Sequence, residues 1–228
     1  MKNLLYKELS LCLPLQVPLF FLFAAMIMIP NYPYLVAGFF ICNAIFYSFA
    51  QASADNDTLF SLLLPISKEQ IVRGKMLFVI CVQLLALVFF AGVTVVNFFV
   101  HKNAGNSAGV SASLTLLGEF LILFSVFNLS YIPKYYKTPH NAGRIFLVST
   151  LAVFVYIFVA EGFMIAAGAA KDAVPFFSWI NANLNTFPTT ATAWVCQAIF
   201  FVVCAVLYAS LNIVCTKKAV KSFDMAEI

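Results

Sequence analysis

The stretch LSLCLPLQVPLFFLFAAMIMIPNYPYLVAGFFICNAIFYSFAQASA, residues 9–54, decides the fold class of this protein. It contains no Asp, Glu, Lys or Arg. The run is broken only by Pro30-Asn31-Tyr32-Pro33, a sequence that is typical of turns. A helix needs about 20 mostly apolar residues to cross the roughly 30 Å hydrocarbon core of a bilayer. The stretch therefore predicts two transmembrane helices, Leu11–Ile29 and Tyr34–Ser53, joined by a tight outer turn.

The rest of the chain continues this apolar pattern. Of its 228 residues, 63% are hydrophobic and 10% are charged, whereas roughly 25% of the residues in soluble domains are charged. Six helices would use about 120 residues and leave only short loops. We therefore predict an all-α membrane protein with a single domain, residues 1–228. Its other four transmembrane helices are expected at Met76–Val100, Ala112–Ile132, Ile145–Ala170 and Ala191–Val214, the last followed by a basic tail.

The basic residues of the loops predict the orientation. Lys and Arg are enriched in loops on the cytoplasmic side of a membrane. In the predicted topology only Lys102 and Lys171 lie on one side. We expect both termini in the cytoplasm and the protein in the cell membrane, with lipid as its surroundings. The net charge of +4 then reflects topology and does not indicate nucleic-acid binding. The residues on the basic side are Lys2, Lys7, Lys68, Arg73, Lys75, Lys134, Lys137, Arg144, Lys217, Lys218 and Lys221.

Motifs for catalysis and for nucleotide or metal binding are missing from the sequence. Gly74-Lys75 is followed by Met76 and lacks a glycine five residues before Gly74, so it is not a phosphate-binding loop. The six cysteines lie in or beside apolar segments without a C-x-x-C pair, which favours small buried side chains over metal or disulfide chemistry. We expect no enzymatic activity, no metal site and no cofactor in this chain.

Two further segments are amphipathic. Met1–Ser10 carries Leu5 and Leu9 on one face and Lys7 on the opposite face, which predicts a helix along the inner membrane surface or an extension of the first span. Residues 173–190 are too apolar for a solvated loop and too interrupted for a span. We expect this outer segment to dip into the membrane and to be buried against protein.

The inner loop after the second predicted span reads SADNDTLFSLLLPISKEQIVRGK, residues 53–75. Asp55 and Asp57 are typical of a helix N-terminus, and Thr58–Leu64 predicts a short apolar helix that Pro65 stops. Ser67 and Gln70 have the spacing of a capping box, so the next helix is expected to begin there and to run into the third span. The apolar side chains of the short helix either pack under the protein's own bundle or at the lipid interface, or insert into a groove on another protein.

The opening MKNLLYKEL, the first hairpin and this inner-loop pattern resemble type-2 ABC-transporter permeases. The resemblance is greatest to the small six-span subunits that export amphipathic peptides such as phenol-soluble modulins. It implies that residues 1–10 form an elbow helix and that residues 55–75 form a coupling region that docks on a separate ATPase subunit. ATP and Mg²⁺ would be bound by that ATPase, and a second permease copy or a paralogue would complete the transporter. The implied docking residues are Asp55, Asp57, Leu59, Phe60, Leu63, Leu64, Pro65 and Ser67.

Two carboxyl groups lie within predicted spans, where a charge is costly. Glu119 is seven residues and Glu161 nine residues from the outer end of its span, so a shared polar pocket is possible. The two residues would line a pathway for a cationic substrate, serve as a proton-linked pair, or act as hydrogen-bonded structural groups.

Three functions therefore compete. The first is an ATP-driven exporter subunit, the second a stand-alone proton-coupled transporter that uses Glu119 and Glu161, and the third a membrane protein that does not transport. Gly162, Ala166 and Ala170 recur every four residues, which favours close contact with another helix, inside the bundle or between subunits.

Overall fold

A computed structural model of the protein describes residue 7 and residues 16–29, 32–101 and 111–226. These residues form helices and connecting turns without a strand. The predicted elbow helix Met1–Ser10 lies outside the described residues except for Lys7. The α-helices are α1 (Gln16–Phe21), α2 (Leu35–Ala54), α3 (Asp57–Leu62), α4 (Lys68–His101), α5 (Leu114–Lys137), α6 (Ala142–Ala169), α7 (Pro175–Ile180) and α8 (Ala191–Asp224).

Within the described residues, five helical segments are long and apolar enough to cross a membrane. They correspond to the second to sixth predicted spans, so the prediction of an all-helical protein with several membrane-spanning helices is confirmed. Their bounds are Leu35–Ala54, Lys68–Val100, Leu114–Lys137, Pro139–Ala169 and Ala191–Asp224.

The first predicted span is described only from Gln16 onward. It is an α-helical turn and a half, α1, followed by a 3₁₀ helix at Leu22–Met28. A 3₁₀ helix rises about 2.0 Å per residue, against about 1.5 Å in an α-helix. This segment therefore spans a greater distance than an α-helix with the same number of residues. The segment is shorter than a spanning helix, and a sixth span remains a prediction.

Helix α8 continues ten residues beyond the predicted end of the last span at Val214. The basic residues that follow Val214 lower the hydropathy, which is why the sequence analysis ended the span there. Cys215, Ala219 and Phe223 nevertheless recur every four residues, and all three are fully buried. The predicted basic tail is therefore the last part of a helix that keeps one face packed against the protein.

Helix α5 is the centre of the bundle, with sixteen buried residues along its length. It packs against α8, α6, α2 and α4. Aromatic rings fill its contact with α2: the rings of Phe49 and Tyr135 are 4.7 Å apart and nearly perpendicular, and Phe49 makes a similar edge contact with Tyr131. Such edge-to-face pairs are favourable beyond the area they bury, so they fix α2 against α5.

Gly38 of α2 lies directly against the side chain of Phe120 on α5. A Cβ atom at Gly38 would lie 2.8 Å from Cδ1 of Phe120, whose buried ring also stacks on Phe90 at 4.2 Å. We expect Gly38→Ala to lower the free energy of unfolding by about 1–2 kcal/mol, because the tightly packed ring has to move. Gly92→Ala is the matched control, since a Cβ there meets no atom within 4 Å. Thermal unfolding in detergent measures both variants, and equal melting temperatures would contradict the close approach.

Candidate functional site

Helix α3 begins directly after a left-handed turn at Asn56, which has φ 54°. Asn is among the few residues that tolerate this conformation. Asp57 lies in the first turn of α3, where a carboxylate interacts favourably with the helix dipole. Asp55 was expected at the same helix start, but it instead caps the end of α2 and accepts a hydrogen bond of 2.9 Å from Gln51. The turn at Asp55 and Asn56 thus separates α2 from α3.

Helix α3 ends at Leu62, two residues before the predicted end at Leu64. Pro65 explains the early end, because a proline disfavours helical geometry in the residue before it and offers no N–H. The predicted capping box is confirmed: the Gln70 N–H donates to the Ser67 hydroxyl at 3.2 Å, and the Ser67 N–H donates to the Gln70 side chain at 3.1 Å. Helix α4 therefore starts at Lys68, separated from the end of α3 by only five residues, and residues 57–67 form a short connection between α2 and α4.

Lys7, near the N-terminus of the chain, binds two side chains of α3. Its ammonium group is 2.6 Å from the Asp57 carboxylate and donates to the Ser61 hydroxyl, also at 2.6 Å. Both groups lie on the inward side of α3, and Ser61 is buried. Because these contacts join residues fifty or more positions apart, the sequence did not predict them. Lys7 and α3 therefore lie at the same end of the bundle.

The apolar side chains of the short helix divide into two groups. Leu62 and Ile66 pack against the core of the protein. The others point outward, with exposed fractions of 48% for Leu59, 69% for Phe60, 83% for Leu63 and 45% for Leu64. Packing under the protein's own bundle thus holds for one face of the segment, whereas the other face is exposed, and its insertion into a groove on another protein stays a prediction. This exposed group, Leu59, Phe60, Leu63 and Leu64, is called the α3 apolar face below.

A cleft of about 320 Å³ lies beside the α3 apolar face. One wall comes from the end of α2 and the start of α3, including Ser53, Thr58 and Leu59. The other wall comes from the connection between α5 and α6, including Lys137 and His140. No local pattern links this second loop with α3, so the sequence did not predict that the two share a cleft. The surface at this end of the bundle is therefore built from both loops.

The two intramembrane carboxyl groups lie close enough to interact electrostatically. Glu161 accepts a hydrogen bond of 3.0 Å from the backbone N–H of Leu35, the first residue of α2. It therefore caps a helix whose first N–H groups have no partner within the helix. Glu119 is buried, and Tyr156 donates to its backbone carbonyl at 3.1 Å. The structure thus brings the two residues together and gives Glu161 a structural contact.

A network of buried amides in the spans was missed by the sequence analysis. Gln83 of α4 and Asn128 of α5 exchange hydrogen bonds of 2.9 and 3.0 Å. Asn128 also donates to Asn212 of α8 at 2.8 Å, and Tyr208 donates to Gln83 at 2.7 Å. The available signal was a small number of uncharged amides in apolar spans: Gln83 and Asn97 in the third, Asn128 in the fourth, and Gln197 and Asn212 in the sixth. The network ties α4, α5 and α8 together and satisfies polar groups that would be costly in an apolar interior.

The outer segment at residues 173–190 forms α7 and a π-helical turn at Asn181–Asn185. The Asn185 side chain donates to the carbonyl of Met164 at 3.1 Å, and Gln197 donates to the carbonyl of Thr186 at 2.9 Å. The ring of Phe187 stacks on that of Phe98 at 4.3 Å. The segment is thus packed on α4, α6 and α8, while its position in a membrane remains a prediction.

The geometry is that of a helical membrane domain with an exposed apolar helix at its basic end, and no cluster of three or more possible metal ligands occurs in the described part of the chain. A model of the ABC-2 family transporter proteins matches residues 3–218. The chain therefore belongs to the ABC-2 transporter family, as a membrane protein with several spanning helices. No curated protein and no solved structure matches the chain significantly.

Proposed function

We propose that the protein is the transmembrane subunit of an ATP-driven exporter of amphipathic or hydrophobic peptides. In this proposal it works in the cell membrane with a separate ATPase subunit and with a second permease copy or a paralogue. Both termini and α3 face the cytoplasm. The observation that carries the proposal is the α3 apolar face, which is exposed at the end of the molecule where the basic residues gather.

Membership of the ABC-2 family supports the need for an ATPase partner. Large apolar side chains exposed next to one another mark interaction sites more often than isolated ones do. An apolar helix that inserts into a groove is a common way of binding another protein. The ion pair with Lys7 anchors α3, and α3 contacts both α2 and α4, so that a force applied to α3 would be passed to α2 and α4.

Purification from cells that also produce the candidate ATPase tests this proposal. The full-length chain with an affinity tag should retain the ATPase in a gentle detergent. The ATPase activity of the complex should then depend on the presence of this chain. Recovery of the tagged chain without any ATPase, from cells in which both proteins are present, would contradict the proposal.

The proximity of Glu119 and Glu161 supports a second candidate, a proton-coupled transporter. In that case a protonophore would stop transport, and replacement of both residues by Gln would abolish it. An ATP-driven exporter would instead keep transporting when the proton gradient is removed. Transport into inverted membrane vesicles, with ATP and with or without a protonophore, separates the two mechanisms.

The hydrogen bond between Glu161 and Leu35 leads to a stability prediction. We expect the free energy of unfolding of Glu161→Gln to be within about 0.5 kcal/mol of that of the unchanged protein, because the Gln carbonyl still accepts a hydrogen bond from the Leu35 N–H. Glu161→Leu removes the acceptor and should cost about 1–3 kcal/mol. Thermal unfolding in detergent measures the difference. If the Leu variant is as stable as the Gln variant, the helix-capping role of Glu161 is wrong.

A further inference from the structure

A groove of about 500 Å³ runs along the outside of the bundle between α4 and α8. Leu84 and Leu87 form one side, Ala205 and Ile213 form the other, and Leu121 of α5 forms part of the floor. The groove lies within the spanning helices, at a site that neither the α3 apolar face nor the two carboxyl groups touch.

The polar groups that border the groove already have partners within the protein. The Tyr208 hydroxyl donates to Gln83. The Asn212 side chain donates to the carbonyl of Tyr208 at 2.9 Å and accepts from Asn128. The Thr216 hydroxyl donates to the carbonyl of Asn212 at 2.8 Å. An occupant of the groove therefore contacts an apolar surface, and the bordering polar groups need no hydrogen bond from it. Such a surface suits a hydrocarbon chain.

The dimensions of the groove also suit a hydrocarbon chain. Its wall on α8 extends from Phe201 to Thr216, which corresponds to about 22 Å along a helix axis. One leaflet contributes about 15 Å of the roughly 30 Å hydrocarbon core. On the α4 side the wall extends from Ile80 to Leu87, which is about 10 Å. The two helices together therefore enclose about two thirds of an acyl chain of one leaflet, and the rest of the chain lies along α8.

One end of the groove carries positive charge. Arg73 lies seven residues before Ile80 on the groove side of α4, and Lys217 lies four residues after Ile213 on α8. Both side chains are exposed, and Arg73 pairs with Glu69 at 2.5 Å, a surface contact that contributes little to stability. The start of α4 and the end of α8 are adjacent, because Lys68 donates to the carbonyl of Phe223 at 3.2 Å.

We propose that this groove binds an anionic phospholipid from the leaflet at the basic end of the molecule. The acyl chain lies between α4 and α8, and the phosphate lies near Arg73 and Lys217. Basic residues beside a cleft between spanning helices are the arrangement that recognises anionic headgroups. A peptide or a second copy of the chain would fill the apolar groove equally well, but would not explain the two cations at its end.

Native mass spectrometry of the purified full-length protein, titrated with phosphatidylglycerol or phosphatidylcholine, tests the proposal. We expect preferential binding of phosphatidylglycerol. The double variant Arg73→Gln/Lys217→Gln should lower that affinity by about tenfold, because each basic residue contributes to binding an anionic headgroup. Lys134→Gln removes an exposed charge at the same end, away from the groove, and should leave the affinity unchanged.

A second pair of variants tests the apolar part of the site. Ala209→Phe adds a ring to the edge of the groove, whereas Ala198→Phe adds the same ring to an exposed position of α8 that does not line it. Only the first should reduce lipid binding. Equal binding of both lipids, or equal effects of the two Phe variants, overturns the proposal. If Ala209→Phe changes the oligomeric state and not lipid binding, the groove is an interface between copies instead. None of these outcomes depends on whether an ATPase binds at α3.

Discussion

The triple variant Leu59→Asp/Phe60→Asp/Leu63→Asp should no longer associate with the ATPase subunit. These side chains are the most exposed members of the α3 apolar face. Full burial of one such side chain in a partner's groove contributes about 1.5–3 kcal/mol, and a carboxylate in its place would be buried without a partner. We expect the dissociation constant to rise by at least about a thousandfold, which corresponds to about 4 kcal/mol. Co-purification and ATP-dependent transport should both fall to background.

Two controls separate loss of docking from loss of folding. Met225→Asp adds a carboxylate to another exposed apolar position at the same end of the molecule and should leave the association intact. The triple variant should keep the elution volume and the melting temperature of the unchanged protein, because the side chains that pack inward, Leu62 and Ser61, are untouched. Normal association of the triple variant would show that the ATPase docks elsewhere.

Asn128→Leu should destabilise the packing of the spanning helices. It removes three hydrogen bonds, two with Gln83 and one with Asn212, and leaves both partners buried without Asn128. Hydrogen bonds between membrane helices contribute about 0.6 kcal/mol on average and up to about 1.7 kcal/mol. We therefore expect a loss of about 2 kcal/mol in the free energy of unfolding, visible as a lower melting temperature in detergent.

Ser130→Ala is the matched control for this prediction. Ser130 lies two residues away on α5, and its hydroxyl donates only to the carbonyls of Val126 and Phe127 on the same helix. Its removal therefore breaks no contact between helices and should change the melting temperature little. If Asn128→Leu and Ser130→Ala have the same melting temperature, the network does not hold α4, α5 and α8 together.

Local patterns predicted most of the helices. The apolar runs at residues 34–53, 76–100, 112–132, 145–170 and 191–214 each correspond to a long helix, because a segment of about 20 apolar residues has few alternatives to a buried helix. Pro65 and the Ser67–Gln70 capping box were equally informative, since their effects on helix ends act over only a few residues. Helix ends beyond the apolar runs were predicted less well, as α8 shows.

The residues of the α3 apolar face were predicted from the sequence, but their shared exposure on one face was not. The sequence identified Leu59, Phe60, Leu63 and Leu64 in a short helix between two spans. It did not show which apolar side chains face outward, because that depends on the rotation of α3 about its axis. The rotation is set by Lys7, which reaches Asp57 and Ser61 from the start of the chain, and by the packing of Leu62 against the core.

The charge-free stretch at residues 9–54 and the pattern of the inner loop determined by themselves that this is a helical membrane protein with a short helix between two spans. Hydrophobicity and helix-end signals act between residues that are close in sequence, so one chain is enough to detect them. Only the tertiary structure decided that Glu161 caps α2, that Gln83, Asn128 and Asn212 meet, and that a groove opens between α4 and α8. These contacts join residues from separate helices, and they depend on how the helices pack and rotate against one another.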